Sequence, residues 1–184
     1  MGMDIYLFEV LDPSTKGENV EEVDFSESDF KEVPNEIKEK AYWKDYELID
    51  VEKIVKDHGK KLEDIAWEEF SEKGYKIGFE DGSTIELLWE EIDKKYTIIE
   101  KRPTIKVREL TYRRYGYFCG HFKIHPAFDN NEAEKHGLKK LYFDPKEMYP
   151  VLEIFKVGDR WKEIIEEFKK AKRGGKLCFV YVSY

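Results

Sequence analysis

The 184-residue chain is 41% hydrophobic and 15% aromatic, and it carries a net charge of −8. That aromatic content argues against a disordered chain, and the length predicts a single domain over residues 1–184. The acidic balance argues against binding of double-stranded nucleic acid, which needs clustered Lys and Arg to neutralise phosphates, and it suits a basic partner.

The N-terminal residues, Met1 to Tyr6, lack the basic and apolar regions of a signal peptide. The apolar runs are too short to span a bilayer, so we expect no membrane partner. The two cysteines, Cys119 and Cys178, form no C-x-x-C pair and indicate no disulfide framework. We therefore expect a cytoplasmic protein with free thiols.

The first elements in chain order are a strand and an acidic segment. Residues 4–10 are apolar on both faces, which predicts a central strand. The acidic segment, residues 18–32, has few apolar anchors and predicts a long loop with a short strand. After it, Asn35 can cap a short helix reaching Ala41, but residues 42–49 can equally form a strand, and the pattern leaves both open.

Two helices and a hairpin are predicted next. Asp50 is a good N-cap, and apolar residues at helical spacing lead to Gly59 at the C-terminal end. A second helix is predicted up to Gly74, with Leu62, Ile65, Ala66 and Phe70 on one face. Residues 75–89 alternate around Asp81-Gly82, a pattern typical of a β-hairpin.

The C-terminal half predicts more strands and two capped helices. Strands are expected at 96–100 and 104–111, on either side of Pro103, and again at 141–143. Asp144 caps one helix, with Pro145 and Glu147 completing its first turn, and Asp159 caps the last. Residues 177–184 predict a terminal strand beside the N-terminal one. The order favours an α+β fold with a mainly antiparallel sheet packed by three to five helices.

An aromatic, glycine-containing segment around residues 115–122 holds the residues most suited to chemistry. Cys119, His121 and His125 are a thiol and two imidazoles close in sequence, a set that can bind zinc. No paired ligand spacing accompanies them. The competing interpretation is a buried cysteine with surface or hydrogen-bonded histidines, and we expect no metal or other cofactor.

Basic residues concentrate between Lys94 and Arg114, and on strands they could form one face interleaved with Tyr96, Tyr112 and Tyr115. Such a face suits a phosphorylated or nucleotide-like ligand. The competing interpretation is an exposed sheet face paired with the acidic segment. The candidate ligand-binding residues are Arg113, Arg114, Tyr115, Tyr117, His121 and His125.

Three short motifs carry a family resemblance. They are Asp4-Ile5-Tyr6-Leu7, then Gly116-Tyr117-Phe118 with Ile124-His125, then Leu141-Tyr142-Phe143-Asp144. Together they resemble a group of uncharacterised phage and prophage proteins. That group has no assigned activity, so the resemblance implies only an accessory protein of a mobile element.

These patterns lead to two functional hypotheses. The first is a non-enzymatic binding protein of the phage or prophage type that acts on a host protein. Its basis is the acidic charge, the many aromatic residues, the resemblance and the lack of a catalytic motif. The alternative is a small enzyme or ligand-sequestering protein with a pocket of Tyr, His and Cys residues. The oligomeric state is left open.

Overall fold

The chain folds into two compact units. A computed structural model describes residues 3–115, 137–155 and 159–183. The larger unit combines Met1–Trp43 with Pro103–Tyr184, and the smaller unit is Lys44–Arg102. Helices and antiparallel sheets occur together, so the predicted α+β class is confirmed. That residues 1–184 form a single domain stays a prediction.

The larger unit is built on an antiparallel sheet whose strands lie in the order β2 (Glu21–Asp24), β7 (Thr97–Tyr115), β1 (Met3–Val10), β9 (Cys178–Ser183) and β8 (Leu141–Tyr142). Strand β1 lies between β7 and β9. The predicted central position of the N-terminal strand, with the terminal strand beside it, is confirmed. The edges are β2 and the short β8, and β3 (Tyr42–Ile49) also pairs with β7.

One face of this sheet is covered by α6 (Asp159–Arg173). Its apolar stripe is fully buried, as its helical spacing predicts. The stripe packs on alternate residues of β1 and β9, and the Trp161 indole N–H donates to the Met148 carbonyl oxygen at 3.0 Å. The stripe consists of Trp161, Ile164, Ile165 and Phe168.

The helical segment that precedes α6 begins at Asp144, the residue predicted to cap it. The Asp144 carboxylate accepts a hydrogen bond from the Lys146 backbone N–H at 2.9 Å, and Pro145 is the first residue of a 3₁₀ turn, Pro145–Met148. Helix α5 (Tyr149–Phe155) follows. Pro150 lies in its first turn, where the missing N–H costs no internal hydrogen bond.

The opposite face of the sheet is partly covered by α1 (Glu27–Glu32) and α2 (Asn35–Lys38). The predicted short strand of the acidic segment is β2. Its remainder is not a long loop, because the Ser26 hydroxyl accepts a hydrogen bond from the Asp29 N–H at 3.1 Å and so caps α1. Phe25, buried against Phe179, anchors the entry to α1.

The smaller unit contains a second antiparallel sheet in the order β4-β5-β6. Strands β5 (Gly74–Phe79) and β6 (Thr84–Leu88) form the predicted hairpin, and α4 (Trp89–Lys95) begins where that hairpin ends. Helix α3 (Val51–Asp57) is capped by Asp50, as predicted. The buried residues of both helices share one core with this sheet.

The helix predicted to end at Gly74 is wrong. After a 3₁₀ turn, Leu62–Asp64, the chain forms the strand β4 (Ile65–Phe70), which pairs with β5. The apolar spacing fits a helix, but a helix this short is marginal without packing. Pairing with β5 instead stacks the Phe70 ring on Tyr75, with centroids 4.7 Å apart.

Two further predictions concern the strands around Pro103 and the segment after Asn35. The strands predicted on either side of Pro103 form one continuous strand, β7, and the Pro103 carbonyl accepts from the Phe25 N–H at 3.0 Å. The open choice after Asn35 resolves into both elements, α2 followed by β3. No helix among the described residues has the length and apolar character needed to cross a membrane.

Candidate functional site

The predicted site residues fall into two groups. Arg113 and Arg114 lie in β7, and the backbone of Tyr115 pairs with Met3 at the start of β1. The remaining residues, Tyr117, Cys119, His121 and His125, lie outside the described residues. The metal and pocket hypotheses that depend on them therefore stay predictions.

The two arginines lie on opposite faces of the sheet, because consecutive residues of a strand point to opposite sides. Arg113 is paired in register with the buried Ile5, and its Nε lies 2.9 Å from a carboxylate oxygen of Glu163 on α6. Arg114 is opposite Asp4, with its Nε 3.7 Å from an Asp4 oxygen. The pair therefore cannot hold one anionic group together, and each already has a carboxylate close by.

The face that carries Arg114 also carries a row of three tyrosines, one on each of three adjacent strands. Tyr6 of β1 is directly opposite Tyr112 of β7 and Tyr181 of β9. Ring centroids are 5.0 Å apart between Tyr6 and Tyr112, and 6.3 Å apart between Tyr6 and Tyr181. We call Tyr112, Tyr6 and Tyr181 the tyrosine row. It lies opposite α6, since Ile5 and Leu7 on either side of Tyr6 pack against α6.

The tyrosine row is partly buried, with Tyr6 and Tyr181 packed against the core of this face and Tyr112 exposed. The Tyr6 ring stacks on Phe8, with centroids 5.5 Å apart and planes 2° from parallel, and Phe8 packs on the fully buried Phe179. Tyr112 is 38% exposed, and Tyr6 is half-buried. The rings are thus held in place before any partner arrives, which lowers the entropic cost of binding.

Carboxylates lie beside two rings of the tyrosine row, Tyr112 and Tyr6. The Tyr112 hydroxyl donates to Asp4 at 2.8 Å, and this hydrogen bond is the main cause that raises the pKa of Tyr112. Burial raises the pKa of Tyr6, and the nearby charges of Asp4 and Glu109 raise it further. Both hydroxyls therefore stay protonated at neutral pH, and the rings remain neutral in a negative environment.

A cleft of about 440 Å³ adjoins the row at β8. Leu141, which pairs with Tyr181, is part of its lining. The acidic residues Asp29 and Glu32 of α1 line it, as do Lys139 and Lys140. The open surface beside the row is therefore larger than the three rings alone.

The basic stretch between Lys94 and Arg114 does not form one strand face. Lys94 lies on α4 and pairs with Glu90 at 2.7 Å, and Arg108 lies 4.0 Å from Glu9. The acidic β2 pairs with β7, which sets Glu22 opposite Lys106. Of these contacts, only the pairing of β2 with β7 involves the acidic segment, so the ligand-binding hypothesis and its competing interpretation both stay predictions.

Cys178 is the cysteine that the structure describes. It is buried in β9, and burial raises the pKa of its thiol to about 11, so it is protonated at neutral pH and a poor nucleophile. Among residues 3–115, 137–155 and 159–183, no three His, Cys, Asp or Glu side chains are grouped so as to hold a metal ion.

Sequence reasoning identified Tyr112 as an aromatic within the basic stretch but missed Tyr6 and Tyr181. Their positions in the sequence do offer a signal. Tyr6 lies near the middle of the predicted N-terminal strand and Tyr181 near the middle of the predicted C-terminal strand, and these two strands are predicted to be neighbours. The row becomes visible only when the register of β7, β1 and β9 is known, because a shift of one residue moves a side chain to the other face.

Comparison with known proteins finds no matching family model, no matching curated protein and no matching solved structure.

Proposed function

We propose that this protein is a non-enzymatic binding protein, and that its tyrosine row receives Lys or Arg side chains of a basic partner protein. The observation that carries the proposal is the set of three register-matched tyrosines beside Asp4 and Glu109. A cation over a neutral aromatic ring gains about 0.5–1 kcal/mol at an exposed site. Carboxylates next to the rings add Coulomb attraction for the same cation.

The charge around the row favours a basic protein over a nucleic acid. The nearby anionic groups, Asp4, Glu109 and Glu21, repel phosphates, and Arg114 is the cation at the end of the row. Adjacent strands are about 4.8 Å apart, so the row is roughly 10 Å wide. That width accommodates two or three side chains of a partner.

The source of the partner is a finer proposal. The motifs Asp4-Ile5-Tyr6-Leu7 and Leu141-Tyr142-Phe143-Asp144 resemble phage and prophage proteins; the first lies in β1, and the second begins in β8 and ends at the cap residue Asp144. This resemblance supports a host protein as the partner of a mobile-element accessory protein.

A phosphorylated or nucleotide-like ligand is the second candidate. Arg114 favours it, because its side chain is 68% exposed at the end of the tyrosine row, where bases could stack on the rings. The two candidates predict opposite charge preferences, which makes them separable.

The test is calorimetric titration with an arginine-rich peptide and, separately, with a single-stranded oligonucleotide. We expect the peptide alone to bind, with an affinity that falls as salt is added. Y112L should weaken peptide binding by about threefold because a ring is lost, whereas Y112F should retain it. The matched control is Y149L, since Tyr149 is 39% exposed on α5.

Two results would count against the proposal. Equal peptide affinities for Y112L and Y149L would show that the tyrosine row is not the contact surface. Binding of the oligonucleotide without binding of the peptide would establish the second candidate in its place.

A further inference from the structure

The smaller unit carries an open sheet edge. Strand β4 (Ile65–Phe70) is at one end of the order β4-β5-β6, and it pairs with β5 alone within the part of the chain that the structure describes. Five of its six residues are exposed, and Ile65 is half-buried. Free edges are usually blocked by charged side chains, prolines or bulges, since an unpaired edge can accept another strand.

The backbone of β4 has hydrogen-bonding groups that face away from β5. The Ser71 N–H donates to the Gly74 carbonyl at 2.9 Å and closes the β4–β5 hairpin. Bonded and non-bonded pairs alternate along an antiparallel ladder. The next pair, Phe70 with Tyr75, and the pair Glu68 with Ile77 are therefore non-bonded, so the N–H and C=O groups of Phe70 and Glu68 point outward.

The edge of β4 is acidic, and its protective charges are all of one sign. Between residues 62 and 72 there is no Lys, Arg or Pro. A bulge between Ile65 and Trp67 interrupts the start of the strand but leaves the residues from Trp67 to Phe70 regularly paired. The same eleven-residue segment holds the acidic residues Glu63, Asp64, Glu68, Glu69 and Glu72.

The negative charge of the smaller unit favours a basic strand over a second copy of β4 at this edge. Residues 44–102 hold 17 Asp and Glu against 11 Lys and Arg, so this unit contributes −6 of the net −8. A second copy of β4 would bring like charges face to face, which is destabilising in a sheet. A strand bearing Lys or Arg meets complementary charge instead.

Aromatic rings flank both sides of the open edge. Trp67 is 44% exposed and lies flat on Gly78 of β5, where an added Cβ would overlap the indole. Phe70 is 63% exposed on the other face and stacks on Tyr75, with centroids 4.7 Å apart. Lysine stems of an incoming strand can pack on both rings, as Lys76 does with its Nζ 5.9 Å from the Trp67 ring centre.

We propose that β4 docks an extended, Lys- or Arg-bearing segment of another protein, which adds to the sheet as a fourth strand through the backbone groups of Glu68 and Phe70. This site is separate from the tyrosine row, because it lies in the smaller unit and binds the backbone of its partner. Main-chain hydrogen bonds supply affinity in this binding mode, and the flanking side chains supply charge selectivity.

The test uses an eight-residue peptide of alternating Lys and Val, and a second peptide of alternating Glu and Val. Amide hydrogen exchange is followed residue by residue on the full chain by NMR. We expect the Lys-Val peptide to slow exchange at Glu68 and Phe70 by about fivefold or more at saturation, because these amides gain a partner. The Glu-Val peptide should leave both amides unchanged.

Two pairs of variants separate backbone recognition from charge. F70P removes an outward N–H and should lower the affinity for the Lys-Val peptide by about fivefold. F70L keeps the N–H and should bind the peptide with the wild-type affinity. E69Q/E72Q should lower the affinity for the Lys-Val peptide by about threefold. E52Q/D93N removes the same amount of charge from α3 and α4 and should leave the affinity unchanged. The charge pair keeps the test informative if F70P unfolds.

The proposal is overturned if neither amide is protected, or if the Glu-Val peptide binds as well as the Lys-Val peptide. It is also overturned if ultracentrifugation shows a dimer that F70P dissociates, because the occupant would then be a second copy. Y112L should bind the Lys-Val peptide normally at β4, so the outcome here is independent of the tyrosine row.

Discussion

At the residue scale, Gly74 is required by close packing between strands. A Cβ added there would overlap the Leu87 carbonyl oxygen and lie 3.0 Å from the Leu88 Cα. These are backbone atoms of β6, so the neighbouring strand would have to move. The requirement is steric, and it differs from that at Gly59, where the φ of +69° favours glycine and nothing lies within 4 Å.

We predict that G74A lowers the free energy of unfolding by about 1–3 kcal/mol, because an overpacked site displaces backbone. Urea unfolding followed by circular dichroism measures the change. G59N is the matched control, since asparagine tolerates a positive φ, and it should change stability little. Equal losses for the two variants would contradict the steric explanation.

Cys178 gives a second prediction at this scale. Because burial raises the pKa of its thiol to about 11, roughly a hundredfold less thiolate is present at pH 8 than for an ordinary cysteine. In a C119S background, we expect a thiol reagent to label Cys178 slowly in the folded protein and rapidly after unfolding in urea. Fast labelling of the folded protein would show that the thiol is accessible and activated.

Ionisation of the Tyr75 hydroxyl should lower the stability of the folded protein at alkaline pH. Burial is the first cause that raises the pKa of Tyr75 above its usual value of 10.0, and the hydrogen bond to Glu68 is the second. A pKa that is higher in the folded state favours folding while the hydroxyl is protonated. This contribution is complete below pH 10 and is lost as the pH rises through the folded-state pKa.

We therefore expect the stability of the wild type to fall more steeply above pH 10 than that of Y75F, which has no hydroxyl to ionise. Urea unfolding at a series of alkaline pH values measures both slopes. Parallel slopes for the two proteins would contradict the assignment of the alkaline loss to Tyr75.

At the scale of elements, the sequence predicts those structures whose signals are local. The cap at Asp50, the turn at Asp81-Gly82 and the stripe of α6 are such signals, and each element forms as expected. The apolar spacing before Gly74 predicts a helix where β4 forms, because short apolar runs fit either element and the pairing with β5 is not visible locally. The tyrosine row was missed for the same reason, since it depends on strand register.

Helix α6 should be a major source of stability in the larger unit. Phe168 is fully buried against the sheet, so we predict that F168A lowers the free energy of unfolding by about 3–5 kcal/mol. K170A, an exposed position on the same helix, should stay within about 0.5 kcal/mol of the wild type. Urea unfolding compares them, and a small loss for F168A would mean that the core relaxes around the missing ring.

At the scale of the whole molecule, the connections between the two units are strands. The boundary between Trp43 and Lys44 falls within β3, and the boundary between Arg102 and Pro103 falls within β7. Domain boundaries usually fall in exposed, flexible linkers. Because both boundaries fall within strands, we predict that the chain unfolds in a single cooperative transition.

Native-state hydrogen exchange tests this cooperativity. The amides of Ile77 in the smaller unit and Phe179 in the larger lie in strands of buried residues, so they exchange only when their units open. If the chain is one cooperative domain, the two amides have the same opening free energy, and I77A lowers both by the same amount, about 2–5 kcal/mol. If the units unfold separately, I77A accelerates exchange at position 77 and leaves Phe179 unaffected. The second outcome would make unit 44–102 a separate domain, and its β4 edge could then bind while the larger unit is unchanged.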